Sequence, residues 1–531
     1  MIREKIRELV ENSCKNLFSD KAFRIKIDIT RTSQKEHGDY TANVRGLAVE
    51  EQAKIVNYIK KLPDFKGYFS DVKFENPIFI NFFLSANCLQ DNLKEILKQK
   101  NKFGNLKIGK NKKINVEFVS ANPTGPLTLG NGRGGFCGDV LTSILNKSGF
   151  KAKREYYVND TGEQIRKLGH SVIGDDQAVY KGEYINELKE KIKGSDPERV
   201  GKKAAKMILN SELLGKEWGI KKTIKEMGIE FDAWFSEESL YKNKEVDKVL
   251  DYLKNKGLTF EREGALWFKS TQFGDDKDRV LVKSSNEKTY IASDIAYLKN
   301  KFERNFEKLI FFWGADHHGY INRIKSAAEA LGYKKEQVEI IIMQMVSIIW
   351  SGQNLRMSKR EGVYKTLQEL IEGLGPDVVR FFFLTRNPSS QLIFDFDLAK
   401  EKSEKNPVYY IQYAHARICS IIKKIKTSAF AKASTGKQNL KLLIHPSELE
   451  LIKELIRFPE IVEDIAKNYQ IQRIPQHASD LAAAFHKFYK DCRVISKDKE
   501  LTRARLSLVL ATKIVLKNSL DLMGISAPEE M

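Results

Sequence analysis

The chain is 531 residues long and 42% hydrophobic, which predicts roughly three or four globular domains and argues against wholesale disorder. Lys and Arg number 90 against 70 Asp and Glu, and the resulting formal charge of +20 points to a polyanionic partner, either nucleic acid or an acidic membrane surface. Five scattered cysteines (Cys14, Cys88, Cys137, Cys419 and Cys492) argue against a disulfide framework or structural zinc site, and the absence of a signal-peptide core or membrane-length apolar run makes a cytoplasmic protein the expectation.

Along the chain, Ile6, Leu9 and Val10 share one face of a predicted first helix, and Phe79-Ile-Asn-Phe-Phe83 reads as a strand. Lys98 to Lys113 is dominated by Lys, Asn and Gly and reads as a solvated linker. Ile114, Val116 and Phe118 then alternate with Asn115 and Glu117, the period of a half-buried strand. Phe136, Val140 and Ile144 recur at helical spacing. Between strand and helix lies the Pro/Gly-rich loop Asn122 to Gly135, whose backbone N–H groups can approach an anion at a helix N-terminus. On spacing alone a tight structural turn explains this loop equally well.

Polar helices from about Tyr157 to Val282 read as an insertion. Leu309-Ile-Phe-Phe-Trp313, Ile340-Ile-Ile-Met343 and Val346-Ser-Ile-Ile-Trp350 are buried-strand candidates, and Ile321, Ile324 and Leu331 form a helix face between them. This alternation predicts an α/β parallel sheet with ligands beyond the carboxyl ends of its strands. A second loop, Ser351 to Gly362, carries Arg356, Lys359 and Arg360, cations suited to charge building on a leaving group. Beyond Asp397 only helical patterns remain, and Lys426 to Lys437 reads as a flexible loop within a helical bundle.

Two short motifs carry a resemblance. Thr128-Leu-Gly-Asn131 and Arg356-Met-Ser-Lys359 stand where class I aminoacyl-tRNA synthetases have the signatures HIGH and KMSKS. Ser120 to Leu127, Tyr157 to Gln164, Gly314 to Gly319, Arg380-Phe-Phe-Phe383, Asn406 to Arg417 and Leu520 to Pro528 are similar, more narrowly, to arginyl-tRNA synthetase. His37 to Tyr40 and Ile80 to Phe83 resemble that family's N-terminal tRNA-binding module.

The resemblance implies an α+β N-terminal module (1–100), a Rossmann-like catalytic domain (111–400, with an insertion at about 157–282 and the lysine loop at 351–362) and an all-α anticodon-binding bundle (401–531). It implies a two-step ligase that joins L-arginine to tRNA(Arg) through an arginyl-adenylate. ATP with Mg2+ would be the second substrate, with no bound metal or organic cofactor, and activation would depend on tRNA. A monomer is expected. Thr128 and Asn131 would meet the triphosphate, Lys359 the leaving pyrophosphate, and Gly130 would leave room for adenine. Gly314 and Asp316 would lie by the ribose, and Met357 and Ser358 would complete the ATP contacts. Glu117, Ser120, Ala121, Asn122, Asn131, Tyr290 and Asp294 would line the arginine pocket, with Asp294 receiving the guanidinium, whose planar fork of five donors needs a carboxylate. Tyr413, Arg417, Tyr489 and Arg493 could stack on unpaired bases or neutralise phosphates. Both signature histidines are replaced, although Thr-x-Gly-Asn also occurs in tryptophanyl-tRNA synthetases. A catalytically inactive, synthetase-like tRNA-binding protein is therefore the alternative.

Overall fold

A computed structural model describes residues 1–21, 24–32, 34–75, 79–210, 219–355, 366–426 and 438–531. At the N-terminus, β1 (Lys26–Arg31), β2 (Tyr40–Arg45), β3 (Phe69–Glu75) and β4 (Phe79–Leu84) form an antiparallel sheet in the order β1-β2-β4-β3. The helices Ile2–Leu17 and Val49–Lys60 pack together beside it, with Ile6, Val10, Ile55 and Ile59 buried. The stretch expected to be a solvated linker is instead packed. Phe103 is buried against Phe458, and Asn518 donates to the carbonyls of Lys100 and Phe103. Its lysines face outward, so composition hid a single buried aromatic anchor.

The central sheet has five strands, β5 (Lys113–Glu117), β6 (Lys151–Val158), β7 (Ala233–Ser236), β11 (Lys308–Gly314) and β12 (Val338–Met343), in the order β12-β11-β5-β6-β7, and is parallel throughout. From β5 the chain runs through the signature helix Leu129–Lys147 to β6 and β7. Thus β7, which falls inside the stretch read as an insertion, is an edge strand of the core sheet. A small antiparallel sheet follows, made of β8 (Thr259–Arg262), β9 (Ala265–Phe268) and β10 (Arg279–Val282). The chain then crosses back through the helix Tyr290–Glu303 to β11 and β12 on the far side of β5. The strand order therefore reverses between β5 and β11. In open parallel sheets that reversal opens a crevice at the strands' carboxyl ends.

Val346–Trp350, expected in the central sheet, is β13 of a separate three-stranded sheet with β14 (Gln353–Leu355) and β15 (Leu392–Asp395). An apolar run of strand length reports burial without naming the sheet that supplies it. The C-terminal bundle comprises Pro407–Lys426, Pro446–Asn468, Arg473–Asp491 and the terminal helix Lys499–Met523. Residues 427–437 of the expected flexible loop lie outside the described residues. Among the described residues, no helix is long and apolar enough to cross a membrane.

Candidate active site

Two adjoining cavities open at the β5/β11 crevice and share Val119, Phe312, Trp313 and Gly314. The first, of about 410 Å³, is lined by Thr128, Gly130, Asn131, Gly314 and Asp316 together with Met343, Gln344 and Met345. The second, of about 300 Å³, is lined by Glu117, Ser120, Tyr290 and Asp294, with Tyr157, Asn159, Tyr297, His317 and Tyr320. Of the expected site residues, Ala121 and Asn122 line neither. The Ala121 carbonyl accepts from the Tyr156 hydroxyl at 2.9 Å, and Asn122 is exposed. Asn131 belongs to the first cavity alone. Arg356, Met357, Ser358, Lys359 and Arg360 lie outside the described residues.

A strained turn separates the cavities. The Ser120 N–H donates to the Phe118 carbonyl at 3.0 Å, closing a three-residue turn around Val119, whose φ is +67°. That conformation is disfavoured for a β-branched residue and persists only where its surroundings hold it. Here Ser120 Oγ donates to Glu117 at 3.2 Å and accepts from the Tyr157 N–H at 3.0 Å, which fastens the turn to β6.

The signature helix begins in a reciprocal cap. The Thr128 N–H (2.9 Å) and hydroxyl (2.8 Å) both donate to Asn131 Oδ1, while the Asn131 N–H donates to Thr128 Oγ1 at 3.4 Å. Two donors on one side-chain atom of Asn131 identify it as the oxygen. The Asn131 NH2 is therefore left as a donor, whereas the Thr128 proton is already used. The helix glycines also divide into two kinds. A Cβ on Gly132 would meet Leu367 at 2.5 Å, on Gly135 Met227 at 2.6 Å, and on Gly138 Phe118 at 2.2 Å. At Gly130 a Cβ would touch only Thr128 Oγ1, at 3.7 Å. At Gly132, Gly135 and Gly138 a Cβ would displace packed side chains, whereas among the described residues none crowds Gly130.

Charge in the second cavity is unbalanced. Lys301, fully buried, pairs with Glu117 at 2.8 Å and Glu155 at 2.9 Å, and Arg304 also binds Glu155. Burial would raise the Glu155 carboxyl, but Lys301 and Arg304 outweigh it and hold the group well below the usual carboxylate range. The Tyr297 hydroxyl donates to both Glu117 and Glu155. Asp294 has no such partner among the described residues. Burial and the neighbouring charge of Glu117 push its carboxyl up to about 7, with Arg323 opposing. Glu237, also buried, accepts from Ser293 Oγ at 3.3 Å, and burial with the proximity of Asp294 pushes it up to about 7. Asp294 thus raises the proton affinity of the neighbouring Glu237, and neither carboxyl has an ion-pair partner among the described residues. A guanidinium would complete the set.

The geometry therefore offers an anion-accepting cavity at a helix N-terminus beside a cation-accepting one. Residues 92–376, more than half of the chain, match the catalytic domain of class I tRNA synthetases (R). The arginine–tRNA ligase of Caldanaerobacter subterraneus subsp. tengcongensis is 44% identical over 95% of this chain and 94% of its own. The chain belongs to the arginyl-tRNA synthetase family. Residues 4–84 match the arginyl tRNA synthetase N-terminal domain, and 411–531 the DALR anticodon-binding domain. The arginine–tRNA ligase of Syntrophotalea carbinolica is 38% identical with full coverage of both chains. The fold is similar to that of Thermus thermophilus arginyl-tRNA synthetase, with a TM-score of 0.75 at 20% identity and full coverage of both chains. None of these matches supports the inactive alternative.

Tyr297, which lines the second cavity, and Lys301 and Glu237, which act on the carboxylates of that cavity from beside it, were not among the site residues expected from the sequence. Tyr290, Asp294, Tyr297 and Lys301 recur at helical spacing, a polar stripe that could have revealed the last two. Glu237 offered no such signal, because it comes from a separate short helix, Glu237–Lys242.

Proposed function

We propose that this arginine–tRNA ligase forms its adenylate across the two adjoining cavities, with Mg-ATP in the first and arginine in the second. One observation carries the reading: among the described residues, half-buried Asp294 and buried Glu237 have no ion-pair partner, and the cavity that Asp294 lines adjoins one at a helix N-terminus that retains unused donors. Asp294 and Glu237 receive the guanidinium, and Tyr290 flanks it. Glu117, already neutralised by Lys301, shapes the pocket floor. In the first cavity the Asn131 NH2 and the helix N-terminus receive triphosphate oxygens. Gly130 gives the adenine face its room, Gly314 and Asp316 lie by the ribose, and Met357, Ser358 and Lys359 approach the phosphates from the lysine loop.

Bound arginine then attacks the α-phosphorus with a carboxylate oxygen, the α–β phosphoanhydride breaks, and pyrophosphate leaves. In the second step the 2′-hydroxyl of the terminal adenosine of tRNA(Arg) attacks the activated carbonyl and AMP leaves. Neither step requires a protein nucleophile, so positioning and electrostatic stabilisation carry the catalysis. The chain works as a monomer in the cytoplasm, and its bundle binds the anticodon arm, with exposed Tyr413 and the Arg417–Tyr489 pair available for stacking.

Arginine-dependent ATP–pyrophosphate exchange, run with and without tRNA(Arg), tests the whole scheme. Exchange that requires arginine and rises with tRNA is expected; exchange supported equally by another amino acid would overturn the pocket assignment. A narrower test uses Gly130→Ala. The melting temperature should hold or rise, since alanine is favoured over glycine in a helix by up to about 1 kcal/mol. The KM for ATP should rise at least about ten-fold, the effect of about 1.4 kcal/mol of lost binding. A stable variant with unchanged ATP KM would remove Gly130 from the adenine site.

A further inference from the structure

Residues 377–410 lie between the matched catalytic and anticodon-binding domains and belong to neither. This segment contains Arg380, 1% exposed and among the largest fully buried side chains. Its Nη1 donates to Asp139 at 2.6 Å and to the Met523 carbonyl at 2.7 Å. Its Nη2 donates to the carbonyls of Met227 at 2.9 Å and Gly228 at 3.4 Å, and the guanidinium carbon lies 5.1 Å from the centre of the Phe136 ring. Phe136 and Asp139 belong to the signature helix, and Met523 is the last residue of the terminal helix. Asp139 also pairs with Arg154 on β6 at 2.7 Å.

One side chain thus ties the helix that walls the ATP cavity to the end of the tRNA-binding bundle. The contact is shaped for this arginine. Gly524 has a φ of +66°, and a Cβ there would lie 2.0 Å from Arg380 Nη1. Just beyond, the tail is latched at the surface. Asp377 accepts from the Ser526 N–H at 3.2 Å and from Gln412 at 2.9 Å. A buried ion pair adds little net stability compared with apolar packing, and its best-attested use is to fix register. Here the register concerns the signature helix. Asp139 lies eight residues beyond Asn131, about 12 Å along a rigid helix axis, and that helix also packs against the terminal helix.

We propose that Arg380 is a positioning residue that couples tRNA binding on the bundle to the ATP and arginine cavities, by holding the signature helix against the end of the terminal helix. The proposal rests on the ligase reading above. Coupling of this kind is reciprocal: tRNA must change the affinity for small substrates by the same factor as they change the affinity for tRNA.

The experiment measures both factors on the full chain, with arginine and a non-cleavable α,β-methylene ATP analogue as the small-molecule pair. Wild type should give equal factors of about five-fold or more. Arg380→Lys keeps the charge but loses the fork that reaches three segments. It should bring both factors to less than half the wild-type value while each binary affinity stays within about two-fold, a split that general destabilisation would not produce. Asp377→Ala, at the surface latch, should shift the factors in the same direction and decides the matter if Arg380→Lys does not fold. Wild-type factors of one, or factors unchanged in the variants that fold, would overturn the proposal. Loss of tRNA arginylation by the wild-type chain would instead refute the ligase reading, so the two failures are distinguishable.

Discussion

Replacing Lys359 by alanine is expected to slow arginine-dependent ATP–pyrophosphate exchange by about 10²–10³-fold, the usual loss when a single donor to developing charge is removed. Lys359 itself lies outside the described residues, but the residues on either side of its segment are described. On one side β14 ends at Leu355. On the other, Thr366 caps the helix Leu367–Leu374, and the Leu367 N–H donates to the Leu127 carbonyl at 3.1 Å. The Leu367 side chain fills the space that a Cβ on Gly132 would need, 2.5 Å away. The residues that follow this segment in the chain are thus held next to the first turn of the signature helix. Charge builds on the bridging oxygen as pyrophosphate departs, so the loss should fall on kcat, with the arginine KM nearly unchanged. An exchange rate equal to wild type would sink the assignment.

Asp294→Asn should lower kcat/KM for arginine by about 10²-fold or more, since removing one side of a buried charge pair costs about 2–5 kcal/mol. This variant has a distinguishing pH signature. In the free protein, Asp294 and Glu237 are each pushed up to about 7. A bound guanidinium favours their ionised forms, so binding releases the protons these groups hold below neutrality. Arginine affinity should therefore rise with pH up to about 7 and level off above it. Each carboxyl contributes up to about ten-fold per pH unit on the acid side. The two titrate as a coupled pair, and Asp294→Asn should remove one proton from the slope. Titration calorimetry in two buffers of different ionisation enthalpy would count those protons. An unchanged slope with weakened binding would transfer the titrating role to Glu237 alone.

The local chemistry of both cavities was partly legible because it is written in short stretches. The strand ending at Glu117, the glycine-rich loop and the helix after it are contiguous, and local periodicity reveals each. Tyr290 and Asp294 share one helix face, and the same periodicity extends to Tyr297 and Lys301. Glu237 differs, because no local pattern connects a residue in a six-residue helix to a pocket 57 positions further along the chain. The structure also changed the meaning of particular residues. Glu117 was expected to line the arginine pocket; it lines the second cavity, but with its charge already paired with Lys301. Thr128 was expected to donate to phosphate, yet its proton is committed to Asn131.

By itself the sequence determined the family, the order of helices and strands around the signature loop, and the residue types that an adenylate-forming site requires. These are properties of contiguous segments, which spacing and composition report directly. Only the tertiary structure decided which charges remain unpaired. Ionic balance in a buried pocket depends on side chains brought together from β5, β6 and two separate helices. It likewise decided that Arg380 and Gly524, 144 residues apart in the chain, meet at one junction. Those contacts are long-range, and no local pattern encodes them.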